Sequence, residues 1–228
     1  MSTAPDTDDL DQIRVWADSL PVATFRRLRS RFKARDFARW HRAGFPFYRT
    51  TFWYPLSQAP GHEVEEVIQR LRHAAAPPAN VVGVEWWFSV VPINRSPLWL
   101  LPCHFDRADL DEKDPLRVRH PALASVFFFD PVPYGELVIT EQRLGADAEP
   151  FPAQPQEMRF VPPGRNRYAV FPGHLYHGVI GRLWRERMPD RLRVSLAVNW
   201  WTQAPSCSYL RDSADALSAF SWPSRATG

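Results

Sequence analysis

From Leu192 to Trp201 the chain alternates: Leu192, Val194, Leu196, Val198 and Trp200 are apolar, while Arg193, Ser195 and Asn199 fall between them, with Arg191 just ahead. A period of two belongs to a β-strand, which sends successive side chains to opposite faces. The apolar face must cover a core. The polar face either looks to solvent or lines the interior of a barrel that holds a polar ligand. In the second case Arg193 needs an anionic partner, because an unpaired buried charge is costly and guanidinium binds carboxylate as a two-pronged fork. Ser195, one pleat away, would share that grip.

The segments upstream favour the same architecture. Val81 to Ile93, Leu98 to Phe105, Ser125 to Asp130, Glu136 to Thr140 and Tyr168 to Phe171 all read as short strands. Joints such as Pro131-Val132-Pro133 and Pro162-Pro163-Gly164 punctuate them, part of a content of 23 prolines. Short strands without alternating helices indicate an antiparallel sandwich or barrel. The first third differs. Leu10, Ile13, Trp16 and Leu20 suggest one helix, Phe25, Leu28 and Phe32 a second, and Val64, Val67, Ile68 and Leu71 a third that stops before Pro77-Pro78. The fold class is therefore mainly β with flanking helices. A helical flank over about 10–76, a β core over about 81–201 and a tail over 202–228, with one short helix near Ala214 to Phe220, make one domain of 228 residues. No internal repeat or long linker interrupts it.

Composition excludes several classes. Cys103 and Cys207 are too few for a disulfide framework or a zinc cluster, which suits a reducing, cytoplasmic setting. Met1 to Leu10 is polar and acidic where a signal peptide would be basic and then apolar, and no apolar run approaches a membrane span. The net charge of +3 does not demand a nucleic-acid partner. Arg26, Arg27, Arg29, Arg31, Arg35 and Arg39 around the second helix form either a solvated face or an anion-binding one.

Chemistry concentrates at His104-Phe105-Asp106. On a strand, residues i and i+2 share a face, so an imidazole and a carboxylate spaced this way can converge on one ion. His177 is the leading third ligand, and two histidines with one carboxylate compose the facial triad of non-heme Fe(II) oxygenases. His174 competes with His177 but follows Pro172-Gly173 directly and is expected in a turn. Cys103, adjacent to His104, should point to the opposite face and pack.

The ordered series His104-Phe105-Asp106, then Asn166 to Phe171-Pro172-Gly173 leading to His177-Gly178-Val179, then Arg193-Val194-Ser195, resembles the Fe(II)- and 2-oxoglutarate-dependent dioxygenase superfamily. Gly135-Glu136-Leu137-Val138-Ile139 also looks like that family's Gly-x-Leu strand, so the resemblance spans about Leu98 to Trp201. It implies a double-stranded β-helix (jelly-roll, cupin-like) core with His104, Asp106 and His177 as catalytic iron ligands. It also implies Arg193 and Ser195 as the grip on the distal carboxylate of 2-oxoglutarate. Fe(II), 2-oxoglutarate and O2 are then the cofactor and cosubstrates, with succinate and CO2 released. The family's halogenases replace the carboxylate ligand by a small residue, so Asp106 implies hydroxylation, or a related desaturation or cyclisation. Arg191 would replace Arg193 only if the register shifted by two, and it lacks the matching serine.

The expected substrate is a small molecule: an amino acid, a peptidyl residue or a natural-product intermediate. The helices from Leu10 to Trp40 and the charged segment Arg107 to His120 are candidate walls or lids. Trp86, Trp87, Phe88 and Trp99 are either pocket or core, as are Phe127 and Phe129. His41, His62, His73 and His120 carry no assigned role. Two alternatives stand beside this reading. A nucleic-acid- or protein-modifying oxygenase of the same fold is one, although the alkylation-repair demethylases carry a further last-strand arginine where this chain reads Val198-Asn199-Trp200-Trp201. A non-catalytic ligand-binding barrel is the other.

Overall fold

The alternating segment Leu192–Trp201 is a ten-residue strand, and it lies at the centre of the larger of two facing sheets. The computed structural model describes residues 8–93, 99–108, 118–181, 191–206 and 209–220. Its strands are β1 (Arg14–Trp16), β2 (Thr51–Pro55), β3 (Gly83–Pro92), β4 (Trp99–His104), β5 (Leu123–Phe128), β6 (Glu136–Thr140), β7 (Arg143–Leu144), β8 (Pro150–Phe151), β9 (Met158–Val161), β10 (Arg167–Pro172), β11 (His177–Ile180), β12 (Leu192–Trp201) and β13 (Leu210–Asp212). The helices are α1 (Asp8–Asp11), α2 (Val22–Arg31), α3 (Ala34–Arg42), α4 (Glu63–Ala75) and α5 (Ala216–Ala219).

The larger sheet runs β1-β10-β5-β12-β3-β2-β13 and the smaller β4-β11-β6-β9. From β3 onward the chain crosses repeatedly between the two, and the pairs among β3, β5, β10 and β12 and among β4, β6, β9 and β11 are antiparallel. Strands dealt alternately to two facing antiparallel sheets make the jelly-roll, double-stranded β-helix arrangement.

Pairing of β12 with β3 sets Arg193 opposite Val91, Ser195 opposite Ser89, Ala197 opposite Trp87 and Asn199 opposite Glu85. These odd-numbered residues face the smaller sheet. The even-numbered Leu196, Val198 and Trp200, with Trp86 and Phe88 of β3, pack outward against Phe25, Leu28, Phe37, Val64 and Ile68 of α2 to α4. A fully buried large apolar side chain contributes roughly 1.5–3 kcal/mol, so this aromatic-rich layer anchors the helices to the sheet. A smaller cluster of Phe128, Leu137, Ile139, Ala169 and Phe171 fills part of the space between the sheets. The polar face of β12 thus looks neither to solvent nor to the helices; it lines the barrel.

The expected first helix is corrected. Only Asp8–Asp11 is helical, and Arg14–Trp16 pairs with β10 as an edge strand. Ile13, Val15 and Trp16 favour extended backbone, and the open edge of β10 supplies partners; Trp16 stacks on Tyr168 at 5.8 Å. The second and third expected helices are α2 and α4, and α4 stops at Ala75 with Ala76 left-handed at φ 43° before the prolines. The short strand β11, which carries His177, interrupts no alternation visible in sequence and exists through pairing on both sides with β4 and β6. The tail helix near Ala214 to Phe220 is a 3-10 turn followed by α5. Among the described residues, no helix is long and apolar enough to cross a membrane.

Candidate metal centre and its cavity

β4 ends at His104, β11 begins at His177, and the two residues are register partners. Asp106 lies two residues beyond the end of β4, outside the strand, so the strand argument for the pair holds for His104 alone. The imidazoles and the carboxylate nevertheless converge. His104 Nε2 is 3.6 Å from Asp106 Oδ1 and His177 Nε2 is 3.4 Å from Asp106 Oδ2. One donor atom from each of the three lies within 4.8 Å of the other two. Neighbouring donors around a single first-row metal ion sit about 3 Å apart when each bond is about 2.1 Å.

The residues around the triad prepare it for a metal. His104 Nδ1 is 3.0 Å from the Pro102 carbonyl and His177 Nδ1 is 2.9 Å from the Leu175 carbonyl. A carbonyl only accepts, so in each neutral ring Nδ1 carries the proton and donates, leaving the Nε2 lone pair for an ion. Burial by itself would raise the Asp106 carboxyl, but His177, His104 and Asn199 outweigh it and hold it down at about 2. Burial by itself would lower His177, and Asp106 with the Leu175 carbonyl turns the shift upward. His104 is lowered, by burial first and then by the second imidazole. The donor set therefore fits a divalent metal: two imidazoles of fixed tautomer and a carboxylate that stays ionised.

Gly178 permits this approach of β11 to β4. A Cβ there would lie 2.8 Å from Cys103 Sγ and 2.9 Å from the Cys103 backbone. Gly178→Ala is expected to force the strands apart, costing about 1–3 kcal/mol as overpacking does, and to weaken metal affinity about tenfold or more by moving His104 from His177. Denaturant midpoints and metal titration would measure the two effects. Cys103 packs against Gly178 and is not one of the three converging donors.

The triad opens into a cavity of about 760 Å3 between the sheets. Arg193, only 2% exposed, lies in its wall. Its Nε donates to the Gly135 carbonyl at 2.7 Å, one Nη donates to Ser195 Oγ at 3.0 Å, and its guanidinium carbon stands 5.0 Å from the Phe128 ring centre. Gly135, at φ +89°, leaves room for this, since a Cβ would come 2.8 Å from Arg193 Cδ. Burial pulls the guanidinium down to about 10, so it stays charged at neutral pH. Among the described residues, no carboxylate lies within ion-pair distance of it. Tyr48 reaches the same end, its phenol 3.1 Å from Ser89 Oγ, and Ser89 is the register partner of Ser195.

The structure brings His104, Asp106, His177, Arg193 and Ser195 into one cavity and leaves other candidates out. His174 Nε2 is 2.7 Å from Asp9, which Arg143 also engages, so this histidine ties the N-terminal segment to the turn after β10. Arg191 is exposed and does not line the cavity. The residues 10–40 expected as walls do not line it either, because α2 and α3 cover the opposite face of the larger sheet. Strand alternation splits the tryptophan cluster: Trp86 and Phe88 are core, Trp87 lines the cavity, and Trp99 is 37% exposed. Phe127 and Phe129 are core as well. Of the segment Arg107 to His120, residues 109–117 lie outside the described residues, while Ala108 and Arg119 pair with each other at its two ends. Cys207 also lies outside them.

Five residues of the site have no signal in single-sequence reading: Tyr48, Thr51, Glu85, Ser89 and His120. His120 Nδ1 sits 2.8 Å from the Asp106 carbonyl and steadies that loop. Glu85 lines the cavity beside the triad, and burial, with the like charge of Asp106 behind it, pushes its carboxyl up to about 7. A carboxyl bound more tightly to its proton in the folded state stabilises fully below about pH 4.5 and loses that contribution as pH rises through about 7. Glu85→Gln is therefore expected to raise the melting temperature of the metal-free protein at pH 8 but not at pH 4.5. The gain is on the order of 2 kcal/mol, read by thermal melts at the two pH values.

No protein-family model and no curated protein sequence matches the chain. Several solved structures resemble it in outline. A prolyl-4-hydroxylase from Pseudomonas putida is 17% identical, covers 86% of this chain and 92% of its own, and superposes with a TM-score of 0.45. HygX from Streptomyces hygroscopicus, solved with nickel and 2-oxoglutarate bound, is 13% identical over 87% of both chains, with a TM-score of 0.48. AviO1 from Streptomyces viridochromogenes is 13% identical over 90% of this chain and 99% of its own, with a TM-score of 0.49.

Proposed function

We propose that this chain acts as one domain, an Fe(II)- and 2-oxoglutarate-dependent oxygenase, most readily a hydroxylase. His104, Asp106 and His177 hold the iron; Arg193 and Ser195 hold the far carboxylate of 2-oxoglutarate. The observation that carries this reading is Arg193, a buried, charged guanidinium without a carboxylate partner among the described residues, in the same cavity as the triad. A metal triad alone suits many reactions. A buried cation beside it calls for an anionic ligand long enough to reach both, because leaving such a charge unpaired costs several kcal/mol.

Iron, when bound with 2-oxoglutarate and O2, supplies the oxidation that releases succinate and CO2 and delivers one oxygen atom to a substrate C–H bond. The protein's share is placement. Arg193, held by the Gly135 carbonyl and by Ser195 Oγ, fixes with Ser195 one end of the cosubstrate. Asn199 steadies Asp106, and Asp106 occupies the position that a halogenase leaves small, which favours hydroxylation.

A cavity of about 760 Å3 falls within the usual range for small-molecule sites, so the substrate is a small molecule or a single residue of a peptide. Oxidation of nucleic acid is less favoured: Arg27 pairs with Glu66 at 2.8 Å and Arg29 with Asp130 at 2.9 Å, on the helical layer across the sheet from the cavity. The two cysteines in 228 residues fit a cytoplasmic enzyme. Anaerobic addition of Fe(II) and 2-oxoglutarate should produce a visible metal-to-ligand charge-transfer band, followed by succinate release on admitting air. Folded protein with neither signal would leave a non-catalytic binding barrel as the better description.

A further inference from the structure

The cavity has a second ionisable end, a carboxyl where the first is a guanidinium. Ser195 and Asn199 lie on the same inward face of β12, four residues and about 13 Å apart. The Arg193 end is thus separated along the strand from the end at Asn199, whose register partner is Glu85. The neighbours acting on the Glu85 carboxylate are Thr51, Trp201 and the negative charge of Asp106; no cation among the described residues is one of them. Thr51 lines the cavity, is 6% exposed, and its Oγ1 stands beside the carboxylate, near enough to favour its ionised form but outside good hydrogen-bond geometry. The Trp201 indole N–H, buried beside the carboxylate, is likewise without a bond in good geometry.

A partly buried carboxylate with no cation beside it and only imperfectly aligned hydrogen bonds is unfavourable in an empty site, which is why Glu85 holds its proton more tightly there. It becomes favourable when a positively charged donor enters. We propose that Glu85 and Thr51 form the recognition point for the substrate to be oxidised, and that this substrate presents an amine, as its ammonium ion, beside the metal donors. The proposal rests on the oxygenase reading for what happens next, though not for the binding itself. Glu85 accepts from the ammonium and Thr51 supplies a second acceptor, while Trp201 keeps the carboxylate aimed into the cavity. A neutral substrate would leave the Glu85 carboxylate without a cation of its own.

The test uses the full chain and matched pairs of primary amines and their N-acetyl derivatives, drawn from alkylamines, amino acids and amino sugars. Two readouts are taken: shift of melting temperature without turnover, and succinate release with Fe(II), 2-oxoglutarate and air. Free amines are expected to shift the melt where their acetylated partners do not, and to exceed them at least tenfold in kcat/KM. Glu85→Gln should bring that preference to within about twofold. Acetylated compounds performing equally well, no amine shifting the melt, or a preference that survives Glu85→Gln would each overturn the proposal. An amine-selective melt shift without succinate release would uphold it and sink the oxygenase reading instead.

Discussion

Asp106→Ala is expected to abolish both the charge-transfer band and succinate release while leaving the fold intact. Loss of a residue that merely orients a metal ligand typically costs 10–100-fold in affinity, so loss of a ligand should exceed roughly 100-fold. Asp106 contributes more than one bond. In the proposed centre it would be the negative charge that balances a divalent cation, and it stands within 3.6 Å of His104 and 3.4 Å of His177. His177→Ala should give the same result by removing the more buried imidazole. In the metal-free protein Asp106→Ala relieves the proximity of two carboxylates, so Glu85 should titrate closer to an ordinary glutamate. Unaltered metal affinity in either variant, measured by anaerobic titration with circular dichroism as the folding control, would remove the triad from the mechanism.

The second large effect concerns Arg193. Hydrogen bonds to a charged group contribute about 1.5–3 kcal/mol each, so losing the two prongs of a guanidinium–carboxylate fork should raise the 2-oxoglutarate KM roughly 10²–10⁴-fold. Arg193→Met retains the aliphatic stem against Phe128 and under Gly135, which limits the packing loss. Because the wild-type guanidinium is buried without a carboxylate among the described residues, the variant should be no less stable than the wild type when cosubstrate is absent. It should lose the stabilisation that saturating 2-oxoglutarate confers, about 2.7 kcal/mol at a hundred times Kd. A variant that melts far below the wild type without ligand, yet binds 2-oxoglutarate normally, would show a purely structural arginine.

Much of the site was legible because its residues are constrained locally. His104 and Asp106 are two apart, Arg193 and Ser195 are one pleat apart, and the period of two in Leu192–Trp201 separates core from polar face without knowledge of any neighbour. The helix stripe at Val64, Val67, Ile68 and Leu71 is equally local and is α4. The first helix misread because its stripe is short beside Ile13, Val15 and Trp16, which favour extended chain, and the open edge of β10 decided between the two. Tyr48, Ser89 and Glu85 were silent for a related reason: Ser89 and Glu85 are placed by register partners on β12 and Tyr48 by its hydrogen bond to Ser89, all far away in sequence.

By itself, then, the sequence determined which side chains share a face, which donors exist and in what order they follow one another. Tertiary structure decided which way each face looks. The polar side of β12 points into a barrel because β3 and β5 pair on its flanks and α2 to α4 seal the apolar side. That choice buries a guanidinium at one end of the cavity and a carboxylate at the other. Alternation is a property of one strand, whereas burial depends on what the rest of the chain places over it.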